Sequence, residues 1–207
     1  MYIPDAFTAK NLAWAHKLMS AHSFATLVSE GTSGLTASHL PLLCSNKDGG
    51  KGIIEGHMAR ANPQWQDFTE NTEVLAIFTG HHAYISPTWY NSTPAVPTWN
   101  YAVVHAYGLP NLIDDKRAIR ALLKRMVATF DAHPNRAWPS DEAHEKLVQA
   151  MIPDVIAFEI PIARLQAKSK LSQNRPVADQ PRIIAELKDS NIPEARALAG
   201  FMNEENT

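Results

Sequence analysis

Apolar and polar residues alternate at a period of two through much of the first half of the chain, and helical spacing precedes and follows that region. Leu12, Ala15, Leu18, Met19 and His22 share one side of a helix that Thr8 would cap. SFATLVSE, residues 35–43 and residues 52–59 then read as strands, divided by the turn clusters GTSG and NKDGGKG. Pro41 marks an edge or bulge in the second strand, and Gly56 beside His57 permits a close neighbour in the third. Asn62 and Pro63 open a short helix. Two long strands, 73–85 and 98–108, form a hairpin, and LPNLI adds a short strand. Asp114 or Asp115 caps a helix with a clean stripe of Ile119, Leu122, Leu123, Met126, Val127 and Phe130. Residues 134–139 break it, and Ser140 caps a second helix ending near Ile152. VIAFEIPIARLQ returns to strand, with Ile156, Phe158, Ile160 and Ile162 on one face. Helices near 183–188 and from Ser190 or Asn191 follow. The order predicts an α+β fold, a small antiparallel barrel or sandwich with flanking helices.

Within the hairpin, YISPTWYNSTPAVPTWNYAVVHAYG holds two of the five Trp, four of the five Tyr, three Pro and one His. Trp99, Tyr101, Val103, His105 and Tyr107 fall on one face of its second arm; Thr98, Asn100, Ala102, Val104 and Ala106 fall on the other. The small face leaves space for something close to the backbone. Pro94 and Pro97 stiffen the connector, so it loses little entropy on ordering. Two readings fit: an aromatic strand pair in a β core, or the wall of a site for a planar ligand, where rings stand beside Ser, Thr and Asn donors.

Composition narrows the class. With 207 residues, 45% hydrophobic and 19% charged, this is an ordinary globular chain with room for one substantial domain. No run reaches the roughly 18 apolar residues of a membrane span and no signal segment is evident, so a cytoplasmic protein is expected. One cysteine, Cys44, excludes an internal disulfide and a cysteine-based zinc site; placed before SNKDGGKG, it reads as an incidental loop thiol. A net charge of −2 offers no general attraction to nucleic acid.

Candidate chemistry lies in two places. Arg60 stands two residues before the helix start at Asn62, a possible phosphate seat. KLSQNRP offers Lys170, Ser172, Gln173, Asn174 and Arg175 within six residues, either a plain polar loop or donors for a phosphate or a flavin edge. Lys116, Arg117, Arg120 and Lys124 form a basic helix face, read first as solvated surface. Among the histidines, His57, His82 and His105 would be the ligands of a haem or metal site. The paired spacings of such sites are missing, so no metal is assigned. No nucleophile elbow, P-loop or Rossmann glycine pattern occurs, and no helix-turn-helix is evident.

YISPTWY and VPTWNYAVVHAYG, with MYIPDAF, ASHLPLL, GHMARANPQW and KLSQNRP in that family's order over residues 1–176, resemble the PaiB family of FMN-binding negative transcriptional regulators. In GHHAYISP, His81 stands where that family usually has Pro. The resemblance implies a six-stranded antiparallel FMN-binding split barrel of the pyridoxamine-phosphate-oxidase type over 1–175, with a helical extension over 176–207. It also implies a homodimer with FMN at the subunit interface. By that likeness Arg60 and Lys170 approach the phosphate, Asn62 counts among the cofactor-binding residues, and Ser38 and His39 line the cleft. Ser86, Trp89 and Tyr90 come from one hairpin arm, Thr98, Trp99, Asn100 and His105 from the other. Ser172, Gln173 and Asn174 close the site, from the same chain or the partner subunit. The implied role is repression of transcription, with DNA reached through the basic helix or through a partner. The alternatives are a flavin-dependent oxidoreductase or flavin reductase and a haem-binding protein using the strand histidines. No catalytic residue stands out.

Overall fold

In the computed structural model the period-two runs become strands and the amphipathic runs become helices, across the described residues 1–32, 34–46, 50–69, 71–131 and 142–205, the side chain of His144 excepted. By internal contacts the chain falls into two units. The first comprises Met1–His22, Phe78–His105 and Gln166–Thr207; the second comprises Ser23–Ile77 and Ala106–Leu165.

In the second unit, β1 (Phe24–Gly31) and β2 (Gly34–Pro41) pair antiparallel from Phe24↔Pro41 to Gly31↔Gly34, and β1 also pairs with the start of β5 (Val74–Ile85) at Thr26↔Ile77. A four-stranded sheet runs in the order β3 (Leu43–Ser45), β4 (Ile53–Ala59), β8 (Val155–Pro161), β7 (Asn111–Ile113). The run 35–43 is therefore two strands, not one. Pro41 has no N–H to continue a ladder, and Leu42 instead donates its N–H to Ser23 O at 2.8 Å while its side chain is buried. A side chain at Gly56 would collide with Leu42 and Phe158, so what approaches that glycine is core. VIAFEIPIARLQ also divides, at Pro161: Ile162 and Ala163 donate to Gly52 O and Tyr107 O, each at 2.9 Å, before β9 (Arg164–Lys170) begins. Ile156, Phe158, Ile160 and Ile162 are all buried, as their spacing predicts.

The helix expected after Asn62 is a single 3-10 turn, Pro63–Asp67, which Asn62 Oδ1 caps by accepting from Gln64 N at 3.0 Å. Helix α2 (Lys116–Phe130) is capped by Asp115 and buries Ile119, Leu122 and Met126 against Ile152 and Ala157. Of its basic residues, Arg120 pairs with Glu145 on α3 (Glu142–Met151), and Arg125 pairs with Glu55. The break at 134–139 and the cap at Ser140 lie outside the described residues.

In the first unit, strands β5, β6 (Thr98–Gly108) and β9 are neighbours in that order. Helix α1 (Leu12–Ala21) starts at Asn11, whose Oδ1 accepts from Trp14 N at 2.9 Å. Thr8 instead bridges to Lys168, following a 3-10 turn at Asp5–Phe7. Past its Thr98–Asn100 end the small face of β6 is covered by protein: Ala102 and Val104 are buried, and a β-carbon on Gly80 would come within 2.9 Å of Leu18 on α1. Helices α4 (Gln180–Lys188) and α5 (Pro193–Glu205) bury Ile183, Leu187, Leu198 and Met202 in one core with Ile85, Tyr90 and Leu171. Each such side chain stabilises the fold by about 1.5–3 kcal/mol.

Candidate functional site

Pro87, which opens the 3-10 turn Pro87–Trp89, and then Pro94 and Pro97 carry the chain from β5 to β6. This connector forms one wall of a cleft of about 370 Å³ in the first unit, with Tyr90, Pro94 and Val96 along it. Thr98 and Asn100 on β6 form the floor. Lys170, Ser172, Asn174 and Arg175 come from the KLSQNRP segment opposite. The tryptophan-bearing hairpin and that distant segment thus meet around one cleft. Lys170 is the clasp: its ammonium donates to Thr98 Oγ1 and, at 2.7 Å, to Trp99 O. Burial, and after it the neighbouring Lys168 charge, hold the Lys170 ammonium below the usual lysine range.

Asn100 and Ser172 form a closed pair beneath the cleft. The Asn100 amide donates to Ser172 Oγ at 2.9 Å and the Ser172 hydroxyl donates back to Asn100 Oδ1 at 3.1 Å, with both residues buried. Ser172 has φ 64°, the left-handed region that favours glycine. Its hydrogen bonds hold the turn there, and Arg175 N closes it by donating to Ser172 O at 3.0 Å. The turn brings the Arg175 guanidinium over the Tyr90 ring, 4.2 Å from its centroid. The motif offered Arg175 as a donor, but the family likeness gave it no place in the site; the αL residue that turns it inward leaves no mark in a pattern of polar positions.

Other expected residues have structural duties. Gln173 spends both ends of its amide on the turn, accepting from Leu171 N at 2.7 Å and donating to Ser169 O. Ser86 caps the Pro87–Trp89 turn through Thr88, and Trp89 packs on the α4–α5 core. Trp99 points to the other face of β6, 53% exposed, with His82 and Tyr84 rings 6.1 and 6.4 Å away. His105 is half-buried and away from the cleft lining.

Ser38, His39, Arg60 and Asn62 belong to the second unit. Asn62 Nδ2 donates to Ser38 Oγ at 2.8 Å, so those two meet. His39 is exposed, its Nδ1 3.1 Å from Thr26 Oγ1. Arg60 donates to Pro153 O at 2.5 Å and Val155 O at 3.5 Å, and shares a second cleft of about 370 Å³ with Lys116, Asp114 and Ile119. The segment after Asn62 is one 3-10 turn, so the aligned N–H groups of an α-helix start are not what it presents.

Among the described residues no three His, Cys, Asp or Glu side chains converge as a metal site would need. His57 Nδ1 lies 3.2 Å from Met126 Sδ, and His82 Nδ1 donates to Gly80 O at 3.3 Å. Cys44 lies in β3 rather than a loop, and burial pushes its thiol up to about 11, so it is no nucleophile at neutral pH. Burial is the first cause lowering His22, His57 and His105 below their ordinary 6.5. The unfolded chain then binds more protons just below that value, so stability is complete above about pH 6.5 and is lost as pH falls toward the folded values. Thermal melts should be flat from pH 8 to 7 and decline below about 6.5, and His57→Gln should reduce that slope. A melting temperature independent of pH down to 5.5 would contradict the assignment.

Residues 1–164 match the model of the "Putative FMN-binding domain" family. The chain is 35% identical to the protease synthase and sporulation protein PAI 2 of Bacillus subtilis, over 99% of this chain and 97% of that one. Among solved structures it resembles the flavocytochrome Anf3 of Azotobacter vinelandii (TM-score 0.59, 12% identity, 79% of this chain and 69% of that one). It also resembles the FAD and heme binding protein of Mycobacterium smegmatis (TM-score 0.55, 12% identity, 79% and 73%). The expected α+β class, antiparallel sheets with flanking helices, holds. The chain belongs to this FMN-binding family, the PaiB family, with FMN as its cofactor.

Proposed function

We propose that this protein is an FMN-dependent regulator of transcription of the PaiB type, cytoplasmic and dimeric, in which the flavin is a bound signal rather than a turnover centre. The cleft of the first unit fits the group. Lys170 has no carboxylate partner among the described residues, is held below its usual range, and stands beside Lys168, so an anion there is favoured. Lys170 and Arg175 would hold the phosphate or another anionic edge, Asn174 and Thr98 would supply hydrogen bonds, and Tyr90 a ring face. Bound FMN supplies redox chemistry of its own. The observation that favours regulation over turnover is the lining itself, in which the described residues include no carboxylate and no imidazole to serve as a general base.

Dimerisation is supported by the exposed rings of Tyr84 and Trp99 on one face of the first unit, which a partner subunit would cover. DNA contact would use Lys116, Arg117 and Lys124, exposed on α2, since Arg120 is already paired. No helix among the described residues is long and apolar enough to cross a membrane.

One series tests the reading. FMN is titrated into the wild type and Lys170→Met with flavin fluorescence as readout, and both proteins are then run in gel shifts on the DNA upstream of the protein's own gene. Loss of one charge-assisted contact should weaken FMN binding about tenfold or more. Three phosphate contacts imply a slope of log affinity against log salt of about −3. Equal FMN affinity in the two proteins would remove the cleft from cofactor binding. NADH oxidation on added FMN, with no DNA shift, would favour a flavin reductase.

A further inference from the structure

Asp179 has a completely buried side chain at the entrance to α4, and its carboxylate hydrogen bonds all reach back to one place in the chain. Its Oδ1 accepts from Asn91 N at 2.8 Å and Ser92 N at 3.2 Å, and its Oδ2 accepts from the Ser92 hydroxyl at 2.5 Å. The neighbouring residues reinforce the same junction. Asn91 Nδ2 donates to Ala178 O at 3.4 Å and Arg182 donates to Asn91 Oδ1. Residues 91 and 92 lie between Tyr90 and Pro94, two members of the cleft wall, and carry no apolar side chain that could anchor the wall by burial. A carboxylate fully withdrawn from water persists only where charge-assisted hydrogen bonds compensate it.

We infer that Asp179 is a positioning residue of the flavin cleft, fastening the Asn91–Ser92 backbone so that Tyr90, Pro94 and Val96 stand as a preformed wall. The inference rests on the cleft being the FMN site. The Ser92 hydroxyl is the first cause holding the Asp179 carboxyl below the usual carboxylate range, and the Arg175 charge adds to it, so the clamp is intact at neutral pH. That charge is the guanidinium lying over Tyr90, so the same carboxylate steadies a wall residue through the backbone and a cation of the opposite wall through the field. A preformed wall removes the cost of ordering a loop when ligand arrives.

The experiment compares FMN affinity with backbone hydrogen exchange in the full-length wild type, Asp179→Ala, Asp179→Asn and Ser92→Ala. Asp179→Ala should weaken FMN about tenfold and raise exchange at the Asn91 and Ser92 amides, because two amide donors and a hydroxyl lose a charged acceptor. Asp179→Asn keeps one oxygen for the amides and should fall between Ala and wild type; it serves if the alanine variant does not fold. Ser92→Ala loses one bond and should weaken FMN about threefold. Met19→Ala, which is buried in α1 and outside the cleft, should lower the melting temperature without this change in affinity. Faster exchange at Asn91 and Ser92 with FMN affinity within about twofold of wild type would overturn the inference. If Lys170→Met were also without effect, the failure would belong to the cofactor site and not to the clamp.

Discussion

Asn100→Ala should lower the free energy of unfolding by about 2–4 kcal/mol, read from the urea midpoint at unchanged slope. Asn100 is fully buried and its amide serves both directions of a pair with Ser172, so alanine leaves a cavity and a buried hydroxyl without its partner. A second cost follows from the backbone. Ser172 at φ 64° is in a conformation that a non-glycine residue holds at a cost of about 1–3 kcal/mol, and only the surrounding bonds keep it there. Without Asn100 the turn from Lys170 to Arg175 should relax, and FMN binding should weaken along with stability. Adding Ser172→Gly to Asn100→Ala should therefore restore part of the loss, about 1 kcal/mol, because glycine adopts positive φ freely and leaves no orphan hydroxyl. A loss below about 1 kcal/mol for Asn100→Ala, or no recovery with glycine, would mean that the pair does not hold the turn.

The features readable from sequence were those that report on periodicity. The alternation in β6 placed Thr98 and Asn100 on one face and Trp99 on the other, and the stripe from Ile119 to Met126 marked the buried side of α2. Where a proline interrupts such a run, the pattern continues although the strand does not: Ile160 and Ile162 are both buried on either side of Pro161. Periodicity records burial, whereas strand ends are set by where the next N–H finds an acceptor. The cleft was half visible for a related reason. Lys170, Ser172 and Asn174 announce themselves as clustered donors, and Tyr90, Thr98 and Asn100 as the hairpin opposite. Gln173 has the same chemistry as its neighbours yet serves the backbone, and Asp179 lies in an unremarkable polar stretch. Those roles depend on which backbone groups come within about 3 Å, which no spacing encodes. The small face of β6 suggested room for a ligand; its Thr98–Asn100 end lines the cleft, whereas beside Ala102 the approach of Leu18 to Gly80 makes it a helix-packing surface, because small side chains serve either purpose equally well.

Leu198→Ala should produce the other large effect, a loss of about 2–5 kcal/mol accompanied by weaker FMN binding. Leu198 is fully buried on α5 within the core that also holds Ile85, Tyr90 and Leu171. Two of those residues border the cleft by sequence or directly: Tyr90 lines it, and Leu171 sits between Lys170 and Ser172. One turn beyond Leu198, Met202 Sδ accepts from Asn100 Nδ2 at 3.7 Å, so α5 touches the residue that holds the turn. A helix that settles into the cavity left by Leu198 must carry Met202 with it. The two losses are then not independent. The double variant Leu198→Ala/Asn100→Ala should be less destabilised than the sum of the singles, by about 0.5 kcal/mol or more, since both disturb one contact chain. Val177→Ala, in the same C-terminal segment but 82% exposed, should change stability by less than about 0.5 kcal/mol and leave FMN binding alone. Additive losses with FMN affinity untouched would confine α5 to stabilising the core; a shared loss makes the C-terminal helices the support on which the proposed flavin cleft keeps its shape.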